Sequence, residues 1–291
     1  MAPAVYHRAA SIDEALRLLA DHGDEAKILA GGQSLIPMIS LGLARPAALV
    51  DIGAIPGLDV LAANGHVRIG PLVRHRTLVA PPPAVDRAAP LLAAAAPHIG
   101  HDAIRTRGTF VGSVAHGDPA AEWPAVAIAL DAVIEVQSPS ATREIPAAAF
   151  YLGPLTTDLV DHEIVVGVRL PIAPPRTGAA VEELAYRHGD YAIVGVAAQV
   201  SLDDAGRISD VRIGLFGVGG TPIRAAAGEQ VASSGVAAFA EAGRAAAGEA
   251  DPATDATASA AYRRRMVAVF VRRALDTAHA RAVGPVGLGT E

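Results

Sequence analysis

Residues 104–124 read IRTRGTFVGSVAHGDPAAEWP, and residues 30–37 read AGGQSLIP. The second stretch stands between a strand predicted over 26–30 and a short helix predicted after Ser34. Glycine accepts positive φ and lets backbone approach closely. Successive N–H groups in such a turn form a concave anion site, and the helix start behind it adds free donors. Ala30-Gly31-Gly32-Gln33-Ser34-Leu35 therefore has two readings: a pyrophosphate cradle that needs no lysine, or a tight turn for which glycine's freedom is reason enough. The stretch from Arg105 to Asp118 reads as a glycine-rich loop, with hydroxyls and two arginines. Neither segment is a Walker A sequence, and neither has the spacing of a Rossmann turn. Gly217-Val218-Gly219-Gly220 comes nearer, but Thr221-Pro222 follows, and it reads as a loop.

Working outward, Ser11-Ile12-Asp13-Glu14 fits a capping box. Ile12, Ala15, Leu16, Leu18 and Leu19 form a helical stripe, and Gly23 is placed to end it. Residues 48–52 read as a strand, so the first 55 residues form a small α/β unit. Pro56 and Gly57 mark a boundary. Beyond it, strands are predicted over 66–70, 132–137 and 163–170. Helices are predicted over 88–98 and 122–130, with Pro124 suited to a first turn. PIAPPRTG at 171–178 is the linker candidate. Residues 191–201 and 207–217 read as strands joined by the Asp203-Asp204-Ala205-Gly206 turn. A helix-rich tail follows, clearest over 262–278. The fold class is α+β.

The chain of 291 residues is 51% hydrophobic and 19% charged, which suffices for a packed core. Its net charge of -6 argues against a nucleic-acid partner, because phosphate contacts need a basic surface. It has no cysteine, which excludes disulfides, thiolate nucleophiles and Cys-ligated iron–sulfur clusters in this chain. No stretch of 18 or more apolar residues is present to span a bilayer, and the order of residues 1–19 is unlike a signal peptide; a cytoplasmic location is expected.

In order along the chain, AGGQSLIP, LVDI at 49–52, IRTRGTFVGSVAHGDPAAEWP, RHGDYA at 187–192 and the Tyr262-Arg263-Arg264-Arg265 helix resemble the FAD-binding (medium) subunits of the xanthine dehydrogenase and carbon monoxide dehydrogenase family of molybdenum hydroxylases. The family pattern is roughly AGG-x-SL followed by P, then VRNRGT-x-GGS-x-A-x-ADPA-x-D-x-P. The resemblance covers nearly the whole chain. It implies a two-subdomain FAD-binding fold of the vanillyl-alcohol oxidase (PCMH) type over 1–173, with subdomains about 1–56 and 57–173. It also implies a smaller α/β C-terminal domain over 178–283. The implied activity is electron transfer in an oxidoreductase. Two 2Fe-2S clusters in a small subunit would pass electrons from a large molybdenum-cofactor subunit to FAD, and FAD to an external acceptor. A dimer of heterotrimers is the implied assembly.

The resemblance also implies site residues. Gly31, Gly32, Gln33 and Ser34 would wrap the pyrophosphate, with Ala30 and Leu35 beside it. Thr109, Gly112 and Ser113 match phosphate and ribityl contacts, and Ile99 and Gly100 match a pair lining the cofactor. Asp118 matches an acid expected at the adenosine end, while Leu159 and Tyr191 match residues near the isoalloxazine. No catalytic residue or metal ligand is implied. Three positions depart from the family. Val111 replaces the first glycine of GGS, Pro71 replaces a small residue, and Glu183 stands where some members place a lysine near the flavin.

A self-contained FAD oxidase of the same fold is the alternative, with Tyr191 the one acid–base candidate; a non-redox binding module is a third reading. His98 and His101 are three apart and suit helix-end roles better than a metal pair, since no third ligand is indicated. His75, between Arg74 and Arg76, reads as surface. His116 reads equally as a phosphate neighbour or a capping group. Arg105 and Arg107 suit either a phosphate or the small subunit. Residues 263–265 read as a solvated basic helix face, and Asp203-Asp204 as turn chemistry.

Overall fold

The computed structural model describes residues 4–284. The N-terminal unit runs β1 (Val5–Arg8), α1 (Ile12–His22), β2 (Ala26–Leu29), α2 (Leu35–Ser40) and β3 (Ala48–Asp51). Its three strands form a parallel sheet ordered β1-β3-β2, with Val5 and Ala26 both in register with Ala48. Ser11 caps α1, its hydroxyl accepting from the Glu14 N–H. The Glu14 carboxylate reaches back one residue further than a capping box requires, to the Ala10 N–H at 2.8 Å. Gly23, at φ 58°, ends the helix as expected. Leu16, Leu19, Val50 and Ile52 bury the face between helix and sheet.

The second unit begins with β4 (Leu61–Ala63) and β5 (Val67–Ile69). Six short helices follow: α3 (His75–Val79), α4 (Pro83–Ala88), α5 (Pro90–Ala95), α6 (Asp102–Arg107), α7 (Phe110–His116) and α8 (Glu122–Ala129). Then come β6 (Val133–Gln137), β7 (Thr142–Pro146), α9 (Ala147–Phe150), the small hairpin β8 (Tyr151–Gly153) and β9 (Thr156–Thr157), and β10 (Ile164–Leu170). The main sheet is antiparallel, ordered β4-β5-β10-β6-β7. The helix expected over 88–98 is broken. Pro90 starts α5 at its first turn, and a separate 3₁₀ turn covers Ala96–His98. Pro83 likewise starts α4. The stretch from Arg105 to Asp118, read as a loop, is mostly helical. Gly108 separates α6 from α7, Thr109 caps α7, and Gly117 at φ 66° closes it.

The C-terminal unit is a four-stranded antiparallel sheet of β11 (Thr177–Ala185), β12 (Ala192–Leu202), β13 (Ile208–Phe216) and β14 (Ile223–Arg224). It is covered by α10 (Ala226–Ala232), α11 (Phe239–Glu249) and α12 (Ala260–Val283). The Asp203–Gly206 turn joins β12 to β13, and Asp203 accepts from the Arg207 N–H at 2.9 Å, as turn chemistry predicts. α8 is buried along its entire length. It crosses β13 at Gly214, where a Cβ would strike the Ala125 carbonyl. Ala125, Ala192 and Phe216 form a small apolar joint there. Arg263 departs from its expected solvated role. It is 6% exposed and donates to the carbonyls of Ile193 and Gly217, and to Asp255 and Thr257.

Candidate functional site

Three segments converge: the turn after β2, the α6–α7 junction, and the entry to β12. Gly32 sits at φ 72°, a conformation that disfavours any residue with a Cβ. Gly31 packs backbone to backbone on the second segment; an added Cβ would stand 2.5 Å from the Arg107 carbonyl and 2.8 Å from the Gly108 Cα. Among the described residues, the N–H groups of Gly31, Gly32, Gln33 and Ser34 meet no protein acceptor, while Gln33 turns its own amide onto the Gly31 carbonyl at 3.1 Å. A run of free donors in a glycine turn is an anion-binding concavity. Ala30 and Leu35 flank it, both half-buried.

On the second segment, the Thr109 hydroxyl accepts from the Gly112 N–H at 3.0 Å. Gly112 is exposed and Ser113 half-buried, while Phe110, Val111 and Val114 turn into the core. Val111 is 3% exposed, so its side chain points inward and adds no bulk to the open face. Pro71 is buried in the turn after β5. Ile99 and Gly100 lie in the turn before α6. Arg105 holds that turn by donating to the carbonyls of Pro97, Ile99 and Gly100 at 3.1, 3.0 and 2.7 Å, and it pairs with Asp102. It is thus a scaffold group, whereas Arg107 is exposed. Leu159 is half-buried on a loop clamped by Arg143, which binds Asp158 and Glu163 on either side of it.

Tyr191 exposes 62% of its surface, and its hydroxyl end lies by the Ser34 hydroxyl on the turn after β2. Burial of that end raises its pKa, Asp118 and Glu122 add to the rise, and the Ser34 hydroxyl opposes it. Asp118 also accepts from the Ala120 N–H at 2.8 Å, fixing the start of α8.

Sequence reasoning missed the burial of several groups here. His75, read as surface, is 4% exposed and accepts from the Trp123 indole N–H at 2.9 Å; burial, with help from Arg74 and Arg105, lowers its pKa to about 4. Glu122 is buried at the first turn of α8, and desolvation raises it to about 7. Glu183 is raised to about 8 by burial and by the charge of Glu122. Burial and the neighbouring charge of His188 lower His98, and burial lowers His116 despite Asp118. His98 and His101 do not share a helix: one ends the 3₁₀ turn, the other precedes α6, where its ring meets His188 edge-on. Among the described residues no group of three or more His, Asp or Glu side chains is placed to hold a metal, and no helix is long and apolar enough to cross a membrane.

Residues 2–173 match the FAD binding domain in molybdopterin dehydrogenase, and residues 179–278 match the CO dehydrogenase flavoprotein C-terminal domain. The chain is 42% identical to the nicotine 6-hydroxylase medium subunit of Paenarthrobacter nicotinovorans, over 96% of this chain and 99% of that one. It is 41% identical to the 6-hydroxypseudooxynicotine dehydrogenase complex subunit alpha of the same organism, over 95% of each. Among solved structures, carbon monoxide dehydrogenase from Hydrogenophaga pseudoflava superposes with a TM-score of 0.91 at 37% identity, covering 97% of this chain and 99% of that one. Two glycine-built segments that leave a run of free backbone donors, carried on this fold, belong to a flavoprotein: the chain is a member of the FAD-binding medium subunits of carbon monoxide dehydrogenase/xanthine dehydrogenase-type molybdenum hydroxylases.

Proposed function

We propose that this chain grips FAD between its two glycine segments and the entry to β12, and relays electrons from the clusters of a small iron–sulfur subunit to an external acceptor. The observation that carries the reading is the unspent run of N–H donors over Gly31–Ser34, backed directly by Gly108. Those donors suit a pyrophosphate without calling on a lysine or a metal. FAD supplies the redox chemistry when bound. Everything else falls to the protein. Gly31, Gly32, Gln33 and Ser34, flanked by Ala30 and Leu35, bind the phosphates. Thr109, Gly112 and Ser113 form the facing wall, and Ile99 and Gly100 line the crevice on the turn set by Arg105. Leu159 and Tyr191 flank the flavin. Asp118 serves the adenosine end, as a ribose-type contact.

With no cysteine of its own, the chain depends on a partner for iron–sulfur clusters. The assembly is a dimer of heterotrimers with a large molybdenum-cofactor subunit, which holds the substrate, and the expected compartment is the cytoplasm. The test is a visible spectrum of the desalted full chain after incubation with FAD, alongside the co-expressed complex. Flavin bands that survive desalting, with co-elution of a cysteine-rich polypeptide, are expected. Absence of flavin from both preparations would overturn the reading. Direct reduction of the flavin by a small alcohol or amine, with no partner present, would favour a self-contained oxidase.

A further inference from the structure

α8 runs antiparallel to β13 and touches it at three places. At its start, the Pro119 carbonyl accepts from the Gly217 N–H at 2.8 Å. Midway, the Ala125 carbonyl faces Gly214, where a Cβ would stand 2.4 Å from it. At its end, Asp131 gives one carboxylate oxygen to Arg212 of β13 and the other to Arg224 of β14, the latter at 2.6 Å. Among the described residues, every arginine–carboxylate pair that crosses into the C-terminal unit uses Asp131. The two arginines already have acids of their own: Arg212 holds Asp210 at 2.8 Å, and Arg224 holds Glu229 at 2.9 Å. The backbone singles out the same residue. α8 ends in a Schellman motif, with the Ala132 N–H on the Ala127 carbonyl at 2.9 Å and the Asp131 N–H on the Ile128 carbonyl at 3.2 Å. This puts Asp131 at φ 50°, in the left-handed position that glycine usually fills. Aspartate tolerates that backbone but gains nothing there over glycine. What the position keeps is the carboxylate.

We propose that Asp131 is a positioning residue for the flavin site: by bridging Arg212 and Arg224 it fixes α8 on β13, and so holds the Tyr191 end of β12 against the second glycine segment. The inference rests on the FAD reading above. The route between the two ends is a chain of contacts. α8 has eight residues and is about 12 Å long. Its start is continuous with the second glycine segment, since Pro119 lies two residues beyond the Gly117 that closes α7. Gly217, which Pro119 engages, packs on the carbonyls of Ala192 and Ile193, where a Cβ would stand 2.8 and 2.9 Å away. Tyr191 is the next residue. At the Gly214 crossing the strand offers the helix no side chain to interlock with, so the charge bridge supplies a register that packing at that point lacks. A slip at the Asp131 end would pass along the rod to the Pro119–Gly217 contact beside Tyr191. An isolated surface ion pair contributes little, but here one carboxylate ties together two arginines of a network.

The test is a fluorescence titration of FAD into the flavin-free full-length chain, run as a double-mutant cycle. Asp131→Gly removes the carboxylate, suits the left-handed backbone and leaves each arginine its own acid, with circular dichroism to confirm folding. Its Kd for FAD should rise about fivefold. Asp131→Asn keeps one acceptor for the arginines and should restore part of the loss; it runs the cycle in place of the glycine variant if that one does not fold. In a Tyr191→Ala background the same change at Asp131 should alter Kd by less than about twofold, because the group it positions is gone. Equal rises in both backgrounds would assign Asp131 to general stability and overturn the positioning role, as would an unchanged Kd in the folded single variant. No binding by the wild type would overturn the FAD reading itself, and this inference with it.

Discussion

The Trp123 indole donates its N–H to Nδ1 of His75, 48 residues earlier in the chain and deep beneath the α6–α7 junction. The bond fixes the imidazole as an acceptor at Nδ1, hence neutral with its proton on Nε2. His75 is held near pKa 4, below the unfolded value of 6.5. The unfolded chain therefore binds more protons between those values, and the native state loses stability as pH falls through 6.5 toward 4. Buried Glu122 and Glu183 act in the opposite direction, since raised carboxyl pKa values favour the native state at low pH. The His75 share is thus the difference between wild type and His75→Gln, which keeps an acceptor but does not titrate. Urea denaturation at pH 7 and pH 5 should show the wild type losing about 2 kcal/mol more than the variant. Equal losses would refute the buried neutral histidine.

Gly31 and Gly108 meet without side chains, and Gly108 in turn faces the His75 ring, where a Cβ would stand 2.5 Å from Nε2. Gly31→Ala should therefore push the two segments apart. We expect the FAD retained after desalting to fall about tenfold, equivalent to about 1.4 kcal/mol of binding. Gly32→Asp should lose flavin more completely, since it adds backbone strain and a negative charge beside the phosphates. Wild-type flavin content in Gly31→Ala would show that this close approach does not shape the site.

Arg105 offers a test that separates scaffold from ligand contact. Its guanidinium gathers three carbonyls, of Pro97, Ile99 and Gly100. Arg105→Ala should lower stability by about 1–3 kcal/mol through the stranded acceptors and loosen FAD several-fold. If the arginine acted instead as a phosphate ligand, FAD affinity in the variant would become markedly less sensitive to salt while chain stability stayed put. Paired thermal melts and salt-dependent FAD titrations distinguish these outcomes.

Arg263 is expected to be unforgiving. Its two terminal nitrogens serve the Ile193 and Gly217 carbonyls, Asp255 and Thr257. Arg263→Leu should cost about 3 kcal/mol, because two part-buried carbonyls lose their donor. Arg263→Lys should recover only part of that, since an ammonium lacks the planar fork. Chemical denaturation of both variants measures the gap; a lysine variant equal to wild type would show that charge alone suffices.

What the sequence disclosed was local. The Ser11 cap, the strand–Gly31-Gly32–helix unit and the Asp203–Gly206 hairpin turn each rest on neighbours within a few residues. The misread features depend on distant partners. Arg74 and Arg76 suggested a surface for His75, but Trp123 and Gly108 enclose it. Three glycines between Arg105 and Asp118 suggested a loop. Burial of Phe110, Val111 and Val114 overrides weak helix propensity there, and the glycines at 108 and 117 mark helix ends. β11 reads TGAAVEELA, poor in branched residues, and is a strand because β12 pairs along its whole length. Within the site, the glycine segments were visible as a family pattern, whereas the upward shifts of Glu122 and Glu183 come chiefly from burial, which their sequence neighbours do not reveal.

Arg263 also sets a timetable. It is synthesised 70 residues after Ile193, whose carbonyl it anchors one peptide beyond Ala192 and two beyond Tyr191. While the chain is emerging, the glycine segments and the second unit fold first, as N-terminal portions do during synthesis. The entry to β12 remains without its tether until α12 has formed. The tether is consequently completed only after synthesis reaches α12, and a nascent chain stalled before residue 263 would carry both glycine segments yet leave the entry to β12 without it.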